Sequence, residues 1–426
     1  MSLPILLFVA IFALFCVLFK QAREQRLIVI GLAILVACLP LHEHLQRWGM
    51  LIMSVLIIVA FIFNKSRQFT WHPIFYVIAG MYFLNLIGLL FTGDFNFAHK
   101  RIDVTIPMIL FPILFSMIQL SKRNVLLLLR FFLWIVIAVC VCGLLLYATT
   151  VSDFSWKTAL LNGKQYSRFL VVWPITWQPS GLSIALLMAL PVSFYLRYHD
   201  GRQITLVEML LAILLPIFVT LLAGARIGVA VVPVLLGLGY LFYCKFRPII
   251  KWSVVAVGVL GLCVTFLLLS TDIKNRYTDQ TRTSLRNIAI SSIKEKPVLG
   301  WGTWTQRDLM ACEERLQNLG IEARWDQPHF HNLYLDMMAQ FGIVGIVVLL
   351  WLIFWIFRIA IREKHFLLLS FATMYVMTFY FEIVLYSPRW VVAFMLWFCF
   401  LLVNRKHLVE YMNKQGIKPG NINEKQ

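Results

Sequence analysis

Apolar stretches of membrane-spanning length recur along almost the whole chain, separated by short polar, basic turns. A helix needs about 17–25 largely apolar residues to cross a ~30 Å hydrocarbon core. The pattern predicts spans at 3–19, 27–41, 48–63, 74–92, 104–120, 125–147, 179–196, 206–225 and 227–243. It predicts another ending at Ser270, then 342–357, 366–385 and 391–403. The expected fold class is therefore all-α, a polytopic helical membrane protein of twelve or thirteen spans, depending on whether the short 27–41 stretch crosses. The ten-residue alternating strands of a membrane β-barrel are absent from the sequence. No basic residue precedes the first apolar run and no small-residue cleavage site follows it, so it reads as a retained helix and not a signal peptide.

Two stretches break this rhythm. In 151–178, Trp156, Leu160, Leu161, Tyr166, Phe169 and Trp173 alternate with Lys157, Lys164 and Arg168, the composition of an interfacial segment. The second is 271–330, which carries Lys274, Arg276, Arg282, Arg286, Lys294, Lys296, Arg307, Arg315 and Arg324. It closes on Pro328-His329-Phe330-His331-Asn332 and continues through Leu333 to Phe341 into Gly342-Ile343-Val344-Gly345. The chain thus divides into a transmembrane block at 1–270, a large loop with the histidine motif at 271–341, a three-span block at 342–404 and a polar tail at 405–426.

Composition sharpens the picture. Only 14% of residues are charged, against roughly a quarter in soluble domains. The net charge of +18 would suggest nucleic acid in a soluble protein; here it is first a topology signal, because Lys and Arg collect in short cytoplasmic loops. The clusters at 20–26, 65–67, 121–124, 197–202, 245–251 and 358–364, with the tail, read as cytoplasmic. That places 42–47, 94–103, 151–178 and 271–330 outside. Of the eight cysteines, all but Cys312 sit in or beside apolar runs with no metal or disulfide spacing, so they read as small apolar packers.

Charges at membrane depth are costly and mark function by default. Arg226 interrupts an apolar stretch, flanked by Gly224 and Gly228, at the expected external surface; its bland alternative is snorkelling at a helix end. Arg282 and Arg286 stand at i, i+4 and share a helix face, an arrangement suited to a diphosphate, since guanidinium groups bind phosphate oxygens bidentately. A solvated basic face is the competing reading. His329 and His331 are better placed as a general base than as metal ligands, because imidazole titrates near neutral pH and the nearby carboxylates complete no recognised metal site. Asp326, Glu313, Glu314 and Glu322 are candidates to orient the base. Glu382, late in the 366–385 span, is a carboxylate near the outer face that Arg389 could pair. Lys100, Arg101 and Arg168 are candidates for contact with lipid phosphate.

His331-Asn332, nine residues and then Gly342-Ile343-Val344-Gly345 resembles the signature of the bacterial O-antigen ligase family: His, then Asn, Ser or Gln, nine residues, then Gly-x-x-Gly. His329 fits its His-x-His-Asn form. Arg282 to Ile290 followed by Lys296-Pro297-Val298-Leu299-Gly300-Trp301-Gly302 is similar to that family's helix and Pro-Leu-x-Gly-x-Gly turn, although an aromatic often stands where Arg286 does. Arg226 matches the family's arginine at the start of a span. The matched motifs cover roughly 223–345; the earlier half agrees only in hydropathy.

The resemblance implies a GT-C-like, metal-independent, inverting glycosyltransferase of the inner membrane with no cofactor. Its expected partners are an undecaprenyl-diphosphate-linked glycan donor, a lipid A–core acceptor and membrane lipids, with no nucleic acid. In the implied scheme His331 is the base, Arg226 and Arg282 stabilise the leaving diphosphate, and Arg286, His329, Asn332, Lys100, Arg101 and Arg168 bind substrate. Gly342 and Gly345 let the helix beneath the site pack closely. A polymerase using the same donor is the nearer alternative. A transporter of the same lipid is more remote, since the polar residues gather at one face and no internal repeat is visible.

Overall fold

The computed structural model describes residues 23–64, 68–92, 95–150, 179–198, 203–223, 225–243, 280–303 and 330–409. The expected spans at 3–19 and before Ser270 lie outside these residues, as do Arg168, His329, most of the 271–330 loop and the tail from 410. The described residues are helical, with no strand among them. In order the helices are α1 (Arg23–Cys38), α2 (Glu43–Phe63), α3 (Ile74–Gly88), α4 (Phe95–Thr105), α5 (Pro107–Ser116), α6 (Lys122–Thr150), α7 (Pro179–Leu187), α8 (Ala189–Tyr198), α9 (Leu206–Leu222) and α10 (Arg226–Tyr243). After them come α11 (Gln280–Glu295), α12 (Leu333–Arg362), α13 (Phe366–Phe381), a 3-10 turn (Val384–Tyr386), α14 (Pro388–Val403) and the short α15 (Arg405–Val409).

Among the described residues, Glu43–Phe63, Lys122–Leu145, Ser180–Tyr198 and Leu333–Arg362 are helices long and apolar enough to cross a membrane, and six shorter apolar helices accompany them. The protein is a polytopic helical membrane protein. Helix α14 lies at its centre. Every residue from Trp390 to Leu402 is buried, which is the expectation for a helix apolar on all sides. Phe394 and Phe398 stack on each other, and Phe394 also meets Phe371, Tyr375 and Phe379 of α13. By contrast, α2 and α12 turn Leu51, Val55, Ile62, Val347, Trp351 and Phe354 outward, the surface a lipid-facing helix presents.

Several boundaries differ from the sequence expectation for identifiable reasons. The 179–196 span is present as Ser180–Tyr198, interrupted only at Met188 between α7 and α8, where Pro191 has no N–H to bond back to Leu187. The 94–103 connector is helical as α4, with Ala98, Arg101 and Thr105 buried along one face. The polar tail starts with the helix α15.

The break that matters most lies inside α12. Gly342 takes φ 58°, ψ −147° and divides it into Leu333–Phe341 and Ile343–Arg362. An unbroken helix would bond Ile343 N–H to Ala339 and Val344 N–H to Gln340. Here the Trp301 N–H donates to Ala339 O at 3.0 Å, the Gly302 N–H donates to Gln340 O at 2.8 Å, and Ile343 N–H donates to Pro297 O at 2.9 Å. The Pro297–Gly302 turn thus replaces the missing helical bonds. It reaches that close only through Gly300 and Gly342, where a Cβ would overlap the Gln340 and Val298 carbonyls respectively. Beyond it, Thr303 N–H donates to Gly88 O at 3.1 Å and Thr303 Oγ1 donates to Asn85 O at 2.7 Å, docking the turn on the end of α3.

Candidate active site

His331 and Asn332 precede the first half of α12. Asn332 is the N-cap, its side chain accepting the Leu335 N–H at 3.0 Å, which satisfies one of the orphan donors of a helix start. This fixes the direction in which the chain enters the helix. His331 takes the left-handed backbone, φ 51°, a conformation that costs a non-glycine residue of order 1–3 kcal/mol and persists where surroundings enforce it. Phe330, just before it, is buried with Leu285, Ile288, Ala289 and Ala339. That cluster seats α11 on the first half of α12 through Leu285, Ile288, Ala289 and Ser292, one helical face.

The histidine is paired. His331 Nδ1 lies 3.2 Å from Glu382 Oε2, with side-chain exposures of 14% and 8%. Glu382 is the C-cap of α13, and its other oxygen, Oε1, accepts the Ser180 hydroxyl at 3.1 Å. An ionised carboxylate only accepts hydrogen bonds, so the contact favours a proton on Nδ1 and leaves Nε2 as the basic nitrogen. A base oriented by a third group is the general logic of acid–base sites.

The cationic residues can be placed from the helices that carry them. Gly228 of α10 packs against Ser183 of α7, and Gly239 of α10 against Phe194 of α8. Both contacts keep the same sequence offset, so α10 runs parallel to α7 and α8. The start of α10 at Arg226 therefore lies level with Ser180, the partner of Glu382. Arg282 occupies the register position one turn before Leu285 on the face of α11 that meets Phe330 and α12. Arg286 and Lys100 are exposed. Arg226 and Arg282 thus stand in the first turns of α10 and α11, whereas Arg168 and His329 lie outside the described residues, as do Asp326, Glu313, Glu314 and Glu322.

Arg101 departs from the sequence expectation. The sequence suggests a contact for lipid phosphate in an external connector; the structure buries Arg101 completely, with Nη2 2.9 Å from Asp336 Oδ2 and both side chains at 0% exposure. A guanidinium enclosed in this way does not face a headgroup. Glu382 was legible as an isolated carboxylate in an apolar span, but its partnership with His331 was not, and Arg389 lies 3.7 Å from Glu43 Oε2. Ser180, Asp336 and Tyr386 were missed altogether; a charged residue at position 336 in an otherwise apolar helix was the available signal. Gly345 sits where a Cβ would come within 2.5 Å of Met337 O, so its role is close packing across the Gly342 break.

These features define a polytopic membrane protein with a histidine–carboxylate pair where α12 begins and α13 ends. Residues 211–350 match the family model described as O-antigen ligase, which supports that family for this chain. The matched stretch runs from the first turns of α9 to the middle of α12 and includes Arg226, Arg282, Arg286, His329, His331, Asn332, Gly342 and Gly345. No curated protein matches the chain. The family supports O-antigen ligase- or polymerase-type activity on lipid-linked glycan in general terms.

Proposed function

We propose that the protein transfers a polysaccharide from undecaprenyl diphosphate to a lipid A–core acceptor on the periplasmic face of the inner membrane, with inversion at the anomeric carbon. The observation that carries this reading is the His331–Glu382 pair, set at the end of the bundle where α7 and α10 begin. His331 Nε2 takes the proton of the acceptor hydroxyl as that oxygen attacks the anomeric carbon. The bond from that carbon to the diphosphate oxygen breaks, and the electron pair leaves with the diphosphate. Glu382 holds the imidazole in its basic tautomer and stabilises the imidazolium. Arg226 and Arg282 neutralise the charge that grows on the leaving diphosphate, the kind of stabilisation worth roughly 3–4 kcal/mol per well-placed donor. Exposed Arg286 and Lys100, with Arg168 and His329, approach the same phosphates or the glycan. Asn332 contributes by fixing the chain that presents His331.

The test is a gel of surface glycolipid from a strain lacking the gene, complemented with the wild-type chain or with His331→Ala. The expected result is lipid A–core without attached glycan, long polymer accumulating on the carrier, and no rescue by His331→Ala. Core bearing a single repeat unit would assign the same site to a polymerase. Unchanged glycolipid, or full rescue by His331→Ala, would overturn the assignment.

A further inference from the structure

A second polar cluster lies buried beside the His331–Glu382 pair, and it touches both of the segments that carry that pair. Its centre is Arg101 of α4. One side of the guanidinium meets Asp336 at 2.9 Å. Asp336 sits in the first turns of α12, its N–H bonded to Asn332 O at 3.0 Å, so it belongs to the helical start that fixes His331. The carboxylate also accepts from Gln340 Nε2 one turn further on. The guanidinium of Arg101 also sits over an aromatic ring: its Cζ is 3.4 Å from the ring centroid of Tyr386. Tyr386 closes the 3-10 turn that follows Glu382 directly. The Tyr386 hydroxyl completes the triangle by donating to Met337 Sδ at 2.8 Å.

The sequence therefore places one permanently charged, planar side chain where it grips the His331 segment through an ion pair and the Glu382 segment through a stacked ring. His331 precedes α12 and Glu382 ends α13, and Arg101 contacts Asp336 of the first and Tyr386 just beyond the second. An isolated buried charge would be strongly unfavourable, so the pair, the ring and Gln340 hold one another in a single arrangement. Planarity matters as well, since lysine could make the ion pair but not the stacked contact.

We propose that Arg101, Asp336 and Tyr386 form a positioning clamp that sets His331 against Glu382, and that Arg101 acts through these contacts without touching glycan or carrier lipid. The role of His331 as base rests on the function proposed above; the clamp itself is a statement about geometry and can be tested apart from it.

The first readout is geometric. In a chain whose native cysteines are replaced, His331→Cys and Glu382→Cys are bridged with a short bis-methanethiosulfonate, in the presence of Arg101 and of Arg101→Met. The clamp requires efficient bridging with Arg101 and at least a several-fold loss without it. Equal bridging in both would overturn the proposal whether or not His331 is the base. The second readout is kinetic, with undecaprenyl-diphosphate-linked glycan and lipid A–core in proteoliposomes. Arg101→Met should lower kcat on the order of 10- to 100-fold, the range typical of losing a group that orients a functional side chain. Donor KM should stay within a few-fold, and the acid limb of the pH profile should move. A rise in donor KM with kcat and pH profile intact would make Arg101 a substrate contact and sink the clamp. Unchanged activity per folded molecule would reduce it to scaffolding and sink it equally. Should Arg101→Met fail to fold, Arg101→Met/Asp336→Leu removes both charges together, a change that buried pairs tolerate, and the same outcomes apply. Activity surviving in His331→Ala would refute the base while leaving the bridging result to judge the clamp.

Discussion

Replacing Gly342 by alanine attacks the single position on which the geometry of α12 depends. The backbone there, φ 58° and ψ −147°, is one that side-chain-bearing residues rarely adopt, and forcing it costs of order 1–3 kcal/mol. The new methyl would also overlap the Val298 carbonyl, which is backbone and cannot swing aside. The Pro297–Gly302 turn must then withdraw, and with it the three hydrogen bonds from Trp301, Gly302 and Ile343. At about 0.5–1.5 kcal/mol each, the total loss is on the order of 3–6 kcal/mol, a large part of the stability of an ordinary domain. Gly80→Ala is the control: it lies inside α3, and a Cβ there meets nothing within 4 Å, so helix propensity alone should make it neutral or stabilising by up to about 1 kcal/mol. The assay is thermal unfolding of both variants in one detergent, followed by tryptophan fluorescence, with transfer activity measured at a temperature where both remain folded. Gly342→Ala should melt several degrees below the wild type and lose activity, because the turn supports the half-helix that His331 begins. If Gly342→Ala melted with Gly80→Ala, the broken helix and the turn's role in replacing its bonds would both be wrong.

Two further outcomes follow from named contacts. Glu382→Gln keeps the shape of the side chain but removes the charge facing His331 Nδ1; kcat should fall on the order of 10- to 100-fold with little change in KM, and undiminished turnover would detach Glu382 from catalysis. The second concerns acid stability at the opposite end of the bundle. Burial pushes the His365 imidazole from 6.5 down to about 4, with nearby Arg405 adding a smaller depression, while Nδ1 caps α13 by accepting the Leu368 N–H at 3.2 Å. The folded state thus prefers neutral His365, whereas the unfolded chain protonates near 6.5. Stability is full above that value and is lost as pH falls toward 4, by about 3 kcal/mol at most at 1.4 kcal/mol per pKa unit. His365→Gln should flatten the pH dependence of the melting temperature between 6.5 and 4; an unchanged slope would exclude His365 as its source.

How much was legible depended on whether a property is local. Membrane spans are local, since each is a run of apolar residues answering to bilayer thickness, and most of the helices fall where hydropathy places them. The His331-Asn332…Gly342 spacing was legible for the same reason: cap, half-helix and break lie along one element. Helix α4 failed the same test instructively. Its average polarity marks it as a connector, yet Ala98, Arg101 and Thr105 are all buried on one face. Hydropathy counts a charge as exposed, and it has no means of knowing that Asp336, far along the chain, neutralises this one. The pairing of His331 with Glu382 is nonlocal in the same way. The glycines of the 300–302 turn could be recognised as a motif, but their purpose is visible only once Gln340 and Gly342 stand opposite them.

This division between local and nonlocal also separates the roles of the residues. The 211–350 stretch that matches the O-antigen ligase family contains the histidine, its capping asparagine, the broken helix and the arginines at the starts of α10 and α11. The residues proposed to orient the histidine lie outside it: Glu382 against its ring, Ser180 bonded to that carboxylate, and Arg101 and Tyr386 in the clamp. Asp336 is the point inside the stretch that the outer residues grip. On the proposed scheme, a change at His331, Arg226 or Arg282 alters the reacting groups themselves. A change in α4 or in the turn after α13 alters how well those groups face each other, and its signature is a loss of kcat with substrate affinity preserved. On the proposed scheme, substitutions at Arg101 and at Arg226 should accordingly differ in kind, the first removing a brace and the second a charge placed for the leaving group.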